Sequence, residues 1–182
     1  NLRAAETGYN GGMYVLGMMY EAGRGVKRDH DKATYWYKKA ADAGNTQAMI
    51  WLGRKYYNGK EVKQDFDNAL TWYQKAADAG NGDALYMLGK MYENGRGVEK
   101  DYRKAINYFL RAAKTNNVEA ILWIADRYCN QDGTTHDYEK AAHWYIKAAD
   151  TGDSRAMFML GEMYENGFGM SKDIDKAVKW YT

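Results

Sequence analysis

The chain has 182 residues, with 26 Lys and Arg against 24 Asp and Glu, a net charge of +2. This length allows one or two domains with a substantial core. The balanced charge excludes the strongly basic face of an electrostatic nucleic-acid binder. No apolar run approaches the roughly 18 residues of a membrane span, so no membrane insertion is expected, and no secretory leader is visible in the first residues. The one cysteine, Cys129, excludes an intrachain disulfide framework.

In chain order, residues 1–8 match the tail of a helix, with Ala4-Ala5 standing 36 residues before Ala40-Ala41. A first helix then places Met13, Leu16, Gly17 and Tyr20 together and ends at Gly23. A second helix starts at Asp29, whose carboxylate is suited to cap the free backbone amides. Its Ala33, Trp36, Tyr37, Ala40 and Ala41 fall at i, i+3, i+4, i+7 and i+8, one apolar face of an α-helix. Gly44 follows, where a left-handed residue ends a helix.

The same order returns every 36 residues. Leu52-Gly53, Leu88-Gly89, Ile124-Ala125 and Leu160-Gly161 repeat Leu16-Gly17. Asp65, Asp101, Asp137 and Asp173 repeat Asp29, and Trp72-Tyr73, Tyr108-Phe109, Trp144-Tyr145 and Trp180-Tyr181 repeat Trp36-Tyr37. Gly80 and Gly152 repeat Gly44, with Asn116 in the equivalent place. The glycine inside each first helix costs about 1 kcal/mol relative to alanine. Close approach to the large aromatics of the second helix is the expected return. The prediction is an all-α chain of one array: a partial repeat 1–11, repeats 12–47, 48–83, 84–119 and 120–155, and a partial repeat 156–182. Each unit needs its neighbour to cover its apolar face. Neither end shows a polar cap, so a fragment of a longer array is expected.

These columns resemble the Sel1-like repeat, a relative of the tetratricopeptide repeats. Ala84, Leu88, Gly89, Tyr92, Gly95, Gly97, Val98, Asp101, Lys104, Ala105, Ala112 and Ala113 show the pattern almost whole. The resemblance implies an α-solenoid of stacked antiparallel helix pairs winding as a right-handed superhelix, and a protein-binding scaffold. The fourth unit departs most, with Gln131 for Gly and Thr134 for Val, which predicts a distorted loop of unchanged length.

A helical projection sets positions 14, 18 and 21 of the first helix away from Leu16 and Tyr20. Position 14 reads Tyr14, Ile50, Tyr86, Leu122 and Phe158 through the repeats, all apolar or aromatic. Position 18 reads Met18, Arg54, Lys90, Asp126 and Glu162, and position 21 reads Glu21, Tyr57, Glu93, Cys129 and Glu165. An apolar stripe with charged flanks suits a peptide or partner domain. The expected contact residues are Tyr14, Met18, Ile50, Arg54, Tyr57, Tyr86, Lys90, Leu122, Asp126, Phe158 and Glu162. The alternative for the stripe is contact between adjacent first helices. A second reading makes the array a spacer, or a unit that associates with itself end to end. A third is carbohydrate binding on exposed tyrosines and tryptophans.

No catalytic constellation emerges, and no cofactor or metal is implied. His30, His136 and His143 lack metal-ligand spacing, and Cys129 has no neighbouring base. Asp126, Glu162 and Glu165 read as a solvated acidic face. The compartment and the identity of the partner stay open.

Overall fold

The computed structural model of the chain describes residues 9–59, 62–129 and 137–182. The expectations for residues 1–8, and for the loop holding Gln131, Thr134 and His136, lie outside the described residues. Among the described residues there are ten helices and no strand. They are α1 (Asn10–Ala22), α2 (His30–Asp42), α3 (Thr46–Asn58), α4 (Phe66–Asp78), α5 (Gly82–Asn94), α6 (Tyr102–Lys114), α7 (Val118–Cys129), α8 (Tyr138–Ala149), α9 (Ser154–Asn166) and α10 (Ile174–Tyr181). The backbone groups into two compact units, 1–105 and 106–182, with the boundary inside α6.

Four first helices pack on the second helix that follows: α1 on α2, α3 on α4, α7 on α8 and α9 on α10. Within the units, successive pairs join through α2 with α3, α4 with α5, and α8 with α9. The core is the small-residue and aromatic face read from the sequence. Ala33, Tyr37, Ala40 and Ala41 are buried, as are Ala69, Tyr73, Ala76 and Ala77 in the next unit.

In three first helices the glycine sits against a second-helix ring. A Cβ on Gly17 would lie 2.8 Å from Cδ1 of Tyr37, and one on Gly53 would lie 2.6 Å from Cε1 of Tyr73. Gly161 meets the Tyr181 ring in the same way. Real Cβ atoms do not approach so closely, so absence of a side chain is the condition for seating the ring. In the fourth unit Ala125 occupies this place and is itself buried.

The recurring aspartates all cap. Asp29, Asp65, Asp101, Asp137 and Asp173 each accept a hydrogen bond from the backbone N–H three residues on, at 2.9–3.1 Å. A lysine at that third position also pairs with the carboxylate at Asp29, Asp101, Asp137 and Asp173. The first helices carry their own caps, which the sequence reading missed. Asn45, Asn81, Asn117 and Asp153 accept from the N–H of Ala48, Ala84, Ala120 and Ala156. These four also stand 36 residues apart, so the signal was present. At the other end of the unit Asn116 takes φ 60°, the left-handed turn expected of it.

Two predictions follow from this packing and capping. Gly53→Ala gains about 1 kcal/mol of helix propensity but overpacks the Tyr73 ring by about 1–3 kcal/mol. A net loss of about 1 kcal/mol is expected, lowering Tm by about 2–4 °C in a thermal melt followed by circular dichroism. An unchanged or raised Tm would show that the ring has room.

The second concerns acid. Hydrogen bonds from the backbone of Lys32, Asn68 and Lys176 hold the Asp29, Asp65 and Asp173 carboxyls below the usual range. Hydrogen bonding from Lys140 does the same for Asp137. The folded state favours their charged forms, so the stability they contribute is present at neutral pH and is lost as acid protonates them. Tm should hold between about pH 7 and 5 and fall below about pH 4. Asn at these four positions caps without titrating and should flatten that acid limb; an unchanged limb would exclude the caps as its cause.

Candidate protein-binding surface

The three columns expected to face outward do not behave alike. In the position-14 column, Ile50 and Leu122 are only 4% and 8% exposed. Both are packing residues, and they leave the set of partner contacts because they offer no surface. Tyr14 and Tyr86 are half-buried, with the Tyr14 ring 5.5 Å from that of Tyr37. Phe158 is 53% exposed and lies 5.7 Å from the Tyr181 ring.

The position-18 column stays nearer solvent. Met18 and Arg54 are exposed, with a guanidinium nitrogen of Arg54 3.9 Å from Asp83. Lys90 is half-buried and pairs with Glu93 at 2.5 Å. Asp126 is engaged within its own unit: it accepts from the Tyr145 hydroxyl at 2.7 Å and from the exposed Arg155 at 2.6 Å. Glu162 is half-buried.

The position-21 column turns inward instead, which corrects the helical projection. Glu21 accepts from the Tyr37 hydroxyl at 2.7 Å and from the Trp51 indole N–H at 2.9 Å. The Trp51 and Tyr37 rings stack with centroids 4.0 Å apart. Glu165 accepts from the Tyr181 hydroxyl at 2.9 Å. The carboxylate therefore completes a polar cap on the ring that the glycine admits. Burial, and the acceptor beside each hydroxyl, push the phenols of Tyr37 and Tyr145 far up from their ordinary range. In the fourth unit Cys129 holds position 21, and the acceptor moves one turn back to Asp126. Burial, acting first, pushes the Cys129 thiol up as well, so it is a poor nucleophile.

Tyr57 departs from this column. It is half-buried, its ring lies edge-on to Phe66 and Tyr73, and its hydroxyl accepts from Arg96 at 2.5 Å. No group of three or more His, Cys, Asp or Glu among the described residues is placed to hold a metal ion. His143 is exposed beside Trp144, and the carbonyl of His30 accepts from the Thr34 hydroxyl within α2. No described helix is long and apolar enough to cross a membrane.

Tandem helix pairs closed by a glycine–aromatic contact, with capped ends and charged outer positions, define an all-α repeat protein of the solenoid class. The Sel1 repeat family matches residues 11–45, 46–81, 82–117, 118–153 and 154–182, and the chain belongs to it. A Sel1 repeat protein from Oxalobacter formigenes is 38% identical, with TM-score 0.85, over 94% of this chain and 70% of that one. A protective antigen of uropathogenic Escherichia coli, c5321, is 35% identical with TM-score 0.85 and is covered over only 38% of its length. An immunity protein of Pseudomonas aeruginosa, Pa5087, is 26% identical with TM-score 0.66, over 98% of this chain and 69% of that one. No curated protein matches the chain.

Glu21→Ala leaves the Tyr37 hydroxyl and the Trp51 N–H without their acceptor. A loss of about 2 kcal/mol is expected in urea unfolding, with blunted near-ultraviolet dichroism from the stacked pair. Full stability in this variant would show that the carboxylate is incidental to the stack.

Proposed function

We propose that the chain is a protein-interaction scaffold that takes a peptide or a partner domain along the outer surface of its first helices. Sel1 repeat proteins generally mediate protein–protein interaction. The observation that carries the reading is the exposure of Met18 and Arg54 beside the half-buried Tyr14 and Tyr86, where Ile50 and Leu122 are packed. A side chain that serves the core must keep its character from repeat to repeat. The position-18 column runs from Met18 through Arg54 and Lys90 to Asp126 and Glu162, so it is not held by packing. Aromatic anchors flanked by charge match the composition of binding hot spots. Tyr14, Met18, Arg54, Tyr57, Tyr86 and Lys90 form this surface in the first unit; Phe158 and Glu162 offer a separate apolar and acidic surface in the second. The scaffold role requires no catalytic group, and the family is generally non-enzymatic.

A second reading, self-association, draws on one feature. Phe158, Ile174, Val178 and Tyr181 of α9 and α10 are exposed, and Phe158 and Tyr181 line a cavity of about 560 Å³ with Met157 and Trp180. A mass that rises with concentration in light scattering, and is held at monomer by Phe158→Glu, would favour it.

For the scaffold reading, a random peptide library is selected on the immobilised chain, and the selected peptides are titrated against Tyr86→Ala/Arg54→Ala protein of unchanged helicity. Removing two anchors should weaken binding at least tenfold. Peptides held equally by both proteins would place the site elsewhere.

A further inference from the structure

Each tyrosine that α2, α8 and α10 bring against a first helix has a carboxylate waiting for its hydroxyl. Glu21 serves Tyr37 and Glu165 serves Tyr181, both from position 21, while Asp126 serves Tyr145 from position 18. The second repeat is different. Its position 18 is Arg54 and its position 21 is Tyr57, so both places hold hydrogen-bond donors. Tyr73, which is fully buried, is the one buried side chain among the described residues whose hydroxyl has no hydrogen-bond partner. The buried phenol is pushed up from its ordinary range, chiefly by desolvation. No side chain of this repeat has taken the role that Glu21 takes in the first.

The surrounding groups are donors too. Arg54 and Tyr57 are three residues apart on α3 and so share a face. Arg96, in the loop after α5, lies with its guanidinium 5.3 Å from the Tyr57 ring centroid and donates to the Tyr57 oxygen. That oxygen's own proton remains to be given. Arg54 and Arg96 are both exposed. Asp83 lies 3.9 Å from Arg54 and is half exposed, which is a weak contact. The first unit as a whole has 17 Lys and Arg against 13 Asp and Glu, so its field favours an acidic partner.

We propose that Arg54, Tyr57 and Arg96 form a subsite for a side-chain carboxylate, an Asp or Glu of an acidic peptide, at the place where the first and fifth repeats carry Glu21 and Glu165 in their own first helices. This rests on the scaffold reading and names the chemistry of its partner. The exposed guanidiniums take the carboxylate by charge-assisted hydrogen bonds, and the Tyr57 hydroxyl gives the third donor. Tyr73 lies beneath as the mark of the missing internal acceptor.

The test uses fluorescein-labelled hexaglutamate and hexaglutamine, both capped at the ends so that no terminal carboxylate contributes, in anisotropy titrations at 150 mM salt. Hexaglutamate should bind and hexaglutamine should not. Arg54→Gln/Arg96→Gln should raise Kd at least tenfold, while Lys38→Gln/Arg103→Gln, which removes equal charge from exposed positions elsewhere, should change it less than twofold. Tyr57→Glu places the acceptor back in the chain; it should abolish binding and raise Tm, as Tyr73 regains a partner. The proposal is overturned if hexaglutamate does not bind at millimolar concentration, if both double variants lose binding alike, or if folded Tyr57→Glu still binds. Equal binding of both peptides, lost in Tyr86→Ala, would overturn the carboxylate subsite while leaving the scaffold reading standing.

Discussion

A tyrosine ring laid flat against a glycine is the contact on which the rest of this structure depends. At Gly17, Gly53 and Gly161 any Cβ would enter the facing ring, so the distance between the two helices of a repeat is set by backbone against aromatic. That approach buries Tyr37 and Tyr73, and Tyr145 is buried as well in the repeat where Ala125 stands in the glycine's place. A ring carrying a hydroxyl into the core then creates a second demand, because an unpaired buried hydroxyl is unfavourable. The carboxylates of Glu21 and Asp126 meet that demand. One steric condition thus selects a glycine, an aromatic and an acid at three places in the repeat.

This chain of constraints divides the first-helix surface into what is needed for folding and what is released from it. Position 21 is held by the tyrosine it caps, and position 14 is drawn into packing at Ile50 and Leu122. Position 18 is the column that varies in size and sign, because only Asp126 is engaged by a core tyrosine. A repeat scaffold acquires specificity through such columns, since each repeat contributes one side chain and a change there leaves the stack intact. In the second repeat the freedom extends to position 21, where Tyr57 replaces an acid, and Arg54 and Arg96 both stay exposed. The feature that singles out a surface is therefore a local departure from the repeat's own bonding rule.

Fold and site were legible to different degrees. The 36-residue period, the two helices per unit, the aspartate caps and the left-handed Asn116 were all read from residue spacing. The caps at Asn45, Asn81, Asn117 and Asp153 were equally periodic but were overlooked, because asparagine also suits a loop. The stacking of Trp51 on Tyr37, and of Trp123 on Phe109 with the same 4.0 Å separation, was not foreseen. Each pair joins residues of successive repeats.

The sequence by itself determined the repeat unit, since periodicity, capping and the placement of glycine are local or recur at a fixed interval and need no knowledge of neighbours. Only the tertiary structure decided which polar side chains belong to the interior. A helical projection gives an angle about one helix axis, while a glutamate reaches far enough to cross to the next helix, and whether it does so depends on what stands there. Glu21 finds the Tyr37 hydroxyl and the Trp51 N–H and turns in. Arg54 finds no buried acceptor and remains outside, leaving the Tyr73 hydroxyl beneath it unpaired.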